Sequence, residues 1–228
     1  MNFNPENPLP SVDVENVDYE LLKAHAEQMD GWLGYRLEEV EAEVRSVFSA
    51  DTNVRPDREF WISKPAQTFS TPYLDVLHAL REAGTSAEDV VADLGCGYGR
   101  IGAVLALEYP GAGFVGIEAI KERHAEAERV LKQFSMLPMN LCCADLRTFD
   151  FADAKVGGRK ATKFFIYDFG SREDFEFVFD SLRTLATQQP ITVIARGGRS
   201  RDLIQKTERW LCEVNPPRHF KRFSIYRS

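Results

Sequence analysis

Residues 90–102, Val-Val-Ala-Asp-Leu-Gly-Cys-Gly-Tyr-Gly-Arg-Ile-Gly, constrain this chain more than any other stretch. An apolar run reads as a short buried strand, breaks into a glycine-rich turn, and re-enters as a helix at about Arg100. Gly95, Gly97 and Gly99 alternate, which permits backbone conformations that other residues resist and leaves room for a ligand on the main chain. A parallel strand feeding a helix N-terminus makes a crevice at the carboxyl edge of a sheet. Asp93 puts a carboxylate at its lip, so the ligand expected there carries a positive charge or several hydroxyls.

Asp93-Leu94-Gly95-x-Gly97-x-Gly99 resembles the first motif of the class I, seven-stranded methyltransferases that use S-adenosylmethionine. The dinucleotide fingerprint G-x-G-x-x-G is also met if Gly97, Gly99 and Gly102 are its glycines. Spacing alone leaves both open. Asp93 favours the methyl donor, because a carboxylate repels a pyrophosphate and attracts the amino end of S-adenosylmethionine.

The resemblance covers residues 71–195 and implies a doubly wound, mostly parallel α/β sheet of six or seven strands with helices on both faces. It implies cofactor contacts from Asp93, Gly95, Cys96, Gly97 and Gly99 in the turn. Glu118, 19 positions past Gly99, would hold the ribose hydroxyls. Asp145 and Leu146 would meet the adenine, with Ala119 and Ile120 flanking its face. The segment 67–73 precedes the first strand, where many of these enzymes close over the methionine end, and it places Thr68 there. Its Thr71-Pro72 is similar to the start of some small methyltransferases that act on protein lysine. Asp168 would be the catalytic residue, orienting an amine acceptor or receiving its proton. No metal site is expected.

Two departures from family patterns bear on the acceptor. Enzymes that methylate exocyclic base amines or glutamine usually carry Asn/Asp-Pro-Pro-Tyr/Phe where this chain has Asp168-Phe169-Gly170-Ser171. A Pro-Cys nucleophile at a strand end is missing as well, and Cys142-Cys143 reads as core. The expected acceptor is a nitrogen or oxygen of a protein side chain or small molecule.

Charge adds a second constraint. The net charge is −7, but from residue 191 onward nine Lys/Arg face three Asp/Glu, so this tail carries +6 and the remainder −13. An acidic body argues against broad nucleic-acid binding. Arg196, Arg199 and Arg201 beside Gly197-Gly198 suggest an anionic acceptor gripped by guanidinium forks. No apolar run approaches the roughly 20 residues of a membrane helix. Residues 1–10 lack the order of a secretory signal. Cys96, Cys142, Cys143 and Cys212 show no metal-ligand spacing and read as reduced thiols in a cytoplasmic protein.

Three regions are expected: an extended or disordered lead (1–16), an N-terminal helical cap (17–70) and a Rossmann-like methyltransferase domain (71–228). Helical periodicity spans 17–29, is interrupted at Asp30-Gly31, and resumes over 32–49. The second helix would bury Leu33, Leu37, Val40, Val44, Val47 and Phe48 and leave Glu38, Glu39, Glu41 and Glu43 in solvent. Trp61, Phe69, Tyr73 and Phe169 could form an aromatic wall for a sulfonium or methylated ammonium. From residue 90 to 212 strands and helices alternate. Strands are expected at 113–118, 139–144, 164–168 and 191–195, a loop at 147–160, a helix at 202–212 and one final strand at 220–227. Right-handed crossovers gather Asp93, Glu118, Asp145 and Asp168 along one sheet edge. Two other readings stay open: a cofactor-binding module without catalysis, and a nicotinamide-dependent oxidoreductase.

Overall fold

The computed structural model describes residues 3–50, 62 and 64–228, without the side chains of 49 and 50. The lead is docked rather than extended. It forms a 3-10 turn at Val14–Asn16, and Leu9 and Val14 join the main core. Arg222 donates from Nη1 and Nη2 to the carbonyls of Val14 and Val17, both at 2.8 Å. Prolines spoil any local ladder here, and the stabilising donor is more than 200 residues away in sequence.

Helix α1 (Tyr19–Leu33) starts where the Asp18 carboxylate accepts the Glu20 N–H. It runs straight through Asp30-Gly31 and stops at Gly34, whose φ of 75° suits a left-handed C-cap. The expected break is therefore three residues early, and Leu33 belongs to α1. Helix α2 (Leu37–Ala50) buries Val40 and Val44. Glu41 lies one residue past Val40 on the same stripe and is only 3% exposed, whereas Val47 is 47% exposed. Strict 3.6 periodicity puts 37, 40, 41, 44 and 48 on one face, so Glu41 belongs with the buried stripe although its polarity suits the solvated side. Glu38, Glu39 and Glu43 are exposed as expected.

After a single turn, α3 (Ala66–Phe69), comes α4 (Tyr73–Glu82), with Pro72 at its N-cap. Then β1 (Val90–Leu94), α5 (Arg100–Glu108), β2 (Gly113–Glu118), α6 (Lys121–Leu131) and β3 (Met139–Cys143) follow. The segment expected as a loop holds a hairpin, β4 (Lys155–Val156) and β5 (Arg159–Lys160), turned by Gly157-Gly158 at positive φ. Next are β6 (Lys163–Tyr167), α7 (Arg172–Ala186), β7 (Thr192–Arg196), α8 (Gly198–Thr207), β8 (Arg218–His219) and β9 (Phe223–Arg227).

The sheet has seven strands in the order β3-β2-β1-β6-β7-β9-β8, and β9 runs opposite to the other six. The final strand expected at 220–227 is thus a pair. Its partner β8 has two residues, too few for a period to show. β3 is an edge strand, so Cys142 is half-buried and Cys143 exposed rather than core.

Alternating side chains of the parallel strands fill two cores. On one face Val91, Phe114, Phe165 and Ile194 meet α1, α4, α5 and α6, including Leu22, Ala26, Met29 and Leu33. On the other, Ala92, Val115, Phe164, Ile166 and Val193 meet Phe175, Val178, Phe179 and Leu182 of α7 and Ile204 of α8.

Candidate cofactor cleft

The carboxyl ends of β1, β2, β3 and β6 open into a cleft of about 1110 Å³, mouth included. Asp93, Gly95, Cys96, Gly97, Glu118, Ala119, Asp145, Leu146 and Asp168 all line it, as do Arg100, Arg123, Tyr98, Tyr167 and Phe169. The strand-end acids expected to converge do so.

The turn after β1 folds back onto β2, with the N–H groups of Gly95 and Cys96 both donating to the Ile117 carbonyl at 2.9 Å. Gly97 adopts φ 53°, and a side chain there would project into open space. Gly99 is needed for a different reason. At φ 74° it caps α5, and a Cβ would sit 2.9 Å from Leu131 of α6. Gly99 supports the turn from behind and does not line the cleft.

Glu118 reaches across the turn. Its Oε2 accepts the Gly97 N–H and its Oε1 the Ile120 N–H, both at 2.8 Å. Burial raises its pKa, partly offset by the Arg123 guanidinium. Each oxygen keeps a lone pair for a further donor. Ile120 turns away into a cluster with Val40, Val44 and Tyr98, and Ala119 alone of that pair faces the cleft. Asp145 Oδ1 accepts the Arg147 N–H at 3.0 Å.

Asp93 is 7% exposed, and among the described residues nothing hydrogen-bonds its carboxyl. Burial first, and the Glu118 charge second, push its pKa up to about 8. An ordinary Asp ionises near 3.9, so between about pH 4 and 8 the unfolded chain holds fewer protons than the folded one and stability falls as pH rises. Asp93→Asn removes that loss, so its melting temperature should gain on wild type from pH 5 to 8 and then hold level. A cationic ligand draws the carboxylate into its charged form. Binding such a ligand at pH 7 should therefore release a proton, and affinity should climb up to about pH 8. Calorimetry in buffers of different ionisation enthalpy reads the proton directly; none released would remove Asp93 from the site.

Asp168 lies at the β6 end with its oxygens on α8. Oδ1 accepts the Ser200 N–H at 2.8 Å and Oδ2 the Arg199 N–H at 3.2 Å. This cap from a distant strand starts α8 four residues before the expected 202. The tail arginines also turn inward. Arg196 is the last residue of β7, buried, and pairs with Asp75 at 2.6 Å. Arg199 donates to the Gly170 carbonyl at 2.7 Å and Arg201 to Phe220 at 3.4 Å. The basic cluster thus binds the protein's own oxygens, and the geometry lends no support to an anionic acceptor.

Thr68 is exposed on α3 and does not line the cleft, whereas Phe69, Ser70 and Thr71 do. Of the expected aromatic wall, Phe69 and Phe169 face the cleft. Tyr73 is buried behind it, donating to Asp30 at 2.7 Å, and Trp61 lies outside the described residues. Tyr98, Phe165 and Tyr167, which carried no expected role, add to the aromatic lining.

Two buried ion pairs that sequence reasoning missed brace the cleft. Arg123 binds Glu41 through Nε and Nη2 at 2.7 and 3.0 Å, while stacking over Phe69 with its guanidinium carbon 4.2 Å from the ring centroid. Tyr98 donates to the same Glu41 at 2.6 Å. Arg100 binds Asp30 of α1 through Nε and Nη2. Both cleft arginines are therefore paired with acids that do not line the cleft, while Asp93, Glu118, Asp145 and Asp168 line it with carboxyl groups. Among the described residues no group of three or more His, Cys, Asp or Glu could hold a metal ion. No described helix is long and apolar enough to cross a membrane.

No family model and no curated protein matches the chain. Solved structures do. A methyltransferase from Aquifex aeolicus described as S-adenosylmethionine-dependent is 14% identical with a TM-score of 0.50, covering 67% of this chain and 88% of its own. Precorrin-6y C5,15-methyltransferase from Geobacter metallireducens is 16% identical at 0.50, covering 72% and 91%. The chain has the class I methyltransferase fold. An RNA methyltransferase from Salinibacter ruber, solved with S-adenosyl-L-homocysteine, is 23% identical at 0.49, covering 69% and 91%. Within the methyltransferase fold, the antiparallel β9 beside the short β8 is the pair of closing strands that the sequence left half legible.

Proposed function

We propose that this protein transfers a methyl group from S-adenosylmethionine to a nitrogen or oxygen of a protein side chain or small molecule. The observation that carries the reading is Asp93, a buried carboxyl without a partner among the described residues, in the same acid-lined cleft as Glu118 and the open Gly97. A cation with neighbouring hydroxyls suits that set; a pyrophosphate does not.

When bound, S-adenosylmethionine supplies an electrophilic methyl on a positively charged sulfur, so the protein has mainly to align the acceptor and exclude water. Glu118 would accept the ribose hydroxyls with its free lone pairs, and charged acceptors make such bonds strong. Asp145 and Leu146 would border the adenine with Ala119. Asp93 would face the ammonium. At the β6 end Tyr167, Asp168 and Phe169 would form the acceptor wall. The α8 amides hold Asp168 in place, which suits a group that orients an acceptor.

A thermal scan tests the cofactor. S-adenosylhomocysteine at 100 times its dissociation constant should stabilise the protein by about 2.7 kcal/mol, and NAD should do far less. A larger shift with NAD would sink the reading. The second reading is a cofactor-binding module without catalysis, in which Asp168 serves as the cap of α8. Methyl transfer from labelled S-adenosylmethionine to a panel of amines, alcohols and peptides separates the two readings.

A further inference from the structure

Arg100 is the first residue of α5, lines the cleft and is only 5% exposed. A guanidinium has five N–H groups, and four of them are engaged. Nε and Nη2 donate to Asp30, Nη2 also to Gln67 Oε1 at 2.8 Å, and Nη1 to the Thr71 carbonyl at 3.3 Å. The second Nη1 N–H has no partner among the described residues. Nη1 is the nitrogen turned toward Thr71, itself a cleft residue. That N–H is a charged donor with capacity for one more acceptor.

Asp30 and Gln67 come from the N-terminal part of the chain, and Gln67 Nε2 donates to Asp30 at 2.8 Å. Tyr73 donates to the same carboxylate from below, with its ring 5.1 Å from the Arg100 guanidinium carbon. The fork is held rigid from three sides, and one donor remains. Asp93 and Arg100 thus place a carboxyl and a guanidinium in one cleft.

We propose that Arg100, positioned by Asp30, donates to the α-carboxylate of the cofactor's amino-acid end while Asp93 takes its ammonium, which makes α1 part of the cofactor site. This rests on the methyltransferase reading above. It assigns to Arg100, Asp30 and Gln67 the closing of the methionine end that the sequence placed at Thr68.

The test compares S-adenosylhomocysteine with its decarboxylated analogue, 5′-(3-aminopropylthio)-5′-deoxyadenosine, by calorimetry. Wild type should prefer the carboxylate-bearing ligand by about 10- to 100-fold, the range of one or two charged hydrogen bonds. Arg100→Gln alone would strand a buried Asp30, so the working variant is the neutral pair Asp30→Asn with Arg100→Gln, checked for folding by circular dichroism. There the preference should shrink to within about threefold, with the analogue's affinity little changed. Arg100→Lys should retain part of the preference. No preference in wild type, or an unchanged preference in the double variant, overturns the assignment and leaves the methyltransferase reading standing. Failure of wild type to bind S-adenosylhomocysteine at all overturns both.

Discussion

Replacing Glu41 by alanine should destabilise the protein by about 3–5 kcal/mol, because it removes one partner of a buried, bidentate ion pair. Glu41 holds Arg123 in this bidentate contact, and both side chains are 4% exposed. At about 2–4 °C per kcal/mol for a chain of this size, the melting temperature should drop by roughly 6–20 °C. The effect should also reach the cofactor. Arg123 lines the cleft, stacks on Phe69 and offsets part of the burial penalty on Glu118. Losing its anchor should therefore weaken S-adenosylhomocysteine binding, although Glu41 does not line the cleft. Glu38→Ala, three residues away on the exposed face, serves as the control and should stay within about 0.5 kcal/mol. Equal behaviour of the two variants in urea titrations would mean that the buried pair contributes nothing.

Glu118→Ala should cost about 1.5–3 kcal/mol of cofactor affinity, the contribution of hydrogen bonds to a charged group. That is about a 10- to 150-fold rise in the dissociation constant of S-adenosylhomocysteine. The same change removes acceptors from the Gly97 and Ile120 N–H groups, so the turn should loosen slightly while the sheet persists. Unperturbed binding, measured by calorimetry on a folded variant, would reduce Glu118 to a brace for the turn. Asp145→Ala should cost less, since Asp145 is half-exposed and water can replace part of what it offers.

The two variants probe different kinds of information in the chain. Glu118 could be found from sequence because its position follows from local rules. A strand of period two, a glycine turn and a right-handed crossover place its carboxylate at a known edge. The same rules yield the α/β class and the convergence of Asp93, Glu118, Asp145 and Asp168. They also found Gly97 and Gly99, whose positive φ is written in the absence of a side chain.

Ion-pair partners follow no such rule. Asp30 and Arg100 are 70 residues apart, Glu41 and Arg123 are 82 apart, and Asp75 and Arg196 are 121 apart. By composition each of these acids and bases looks like a solvated surface charge, and burial is what turns it into a brace. Which way Arg196 and Arg199 point, whether Asp168 meets the α8 amides, and whether the lead docks on Arg222 depend on chain segments brought together by the sheet. A local pattern encodes a period and a turn. Desolvation and charge pairing are properties of the assembled interior, so only the tertiary structure could decide them.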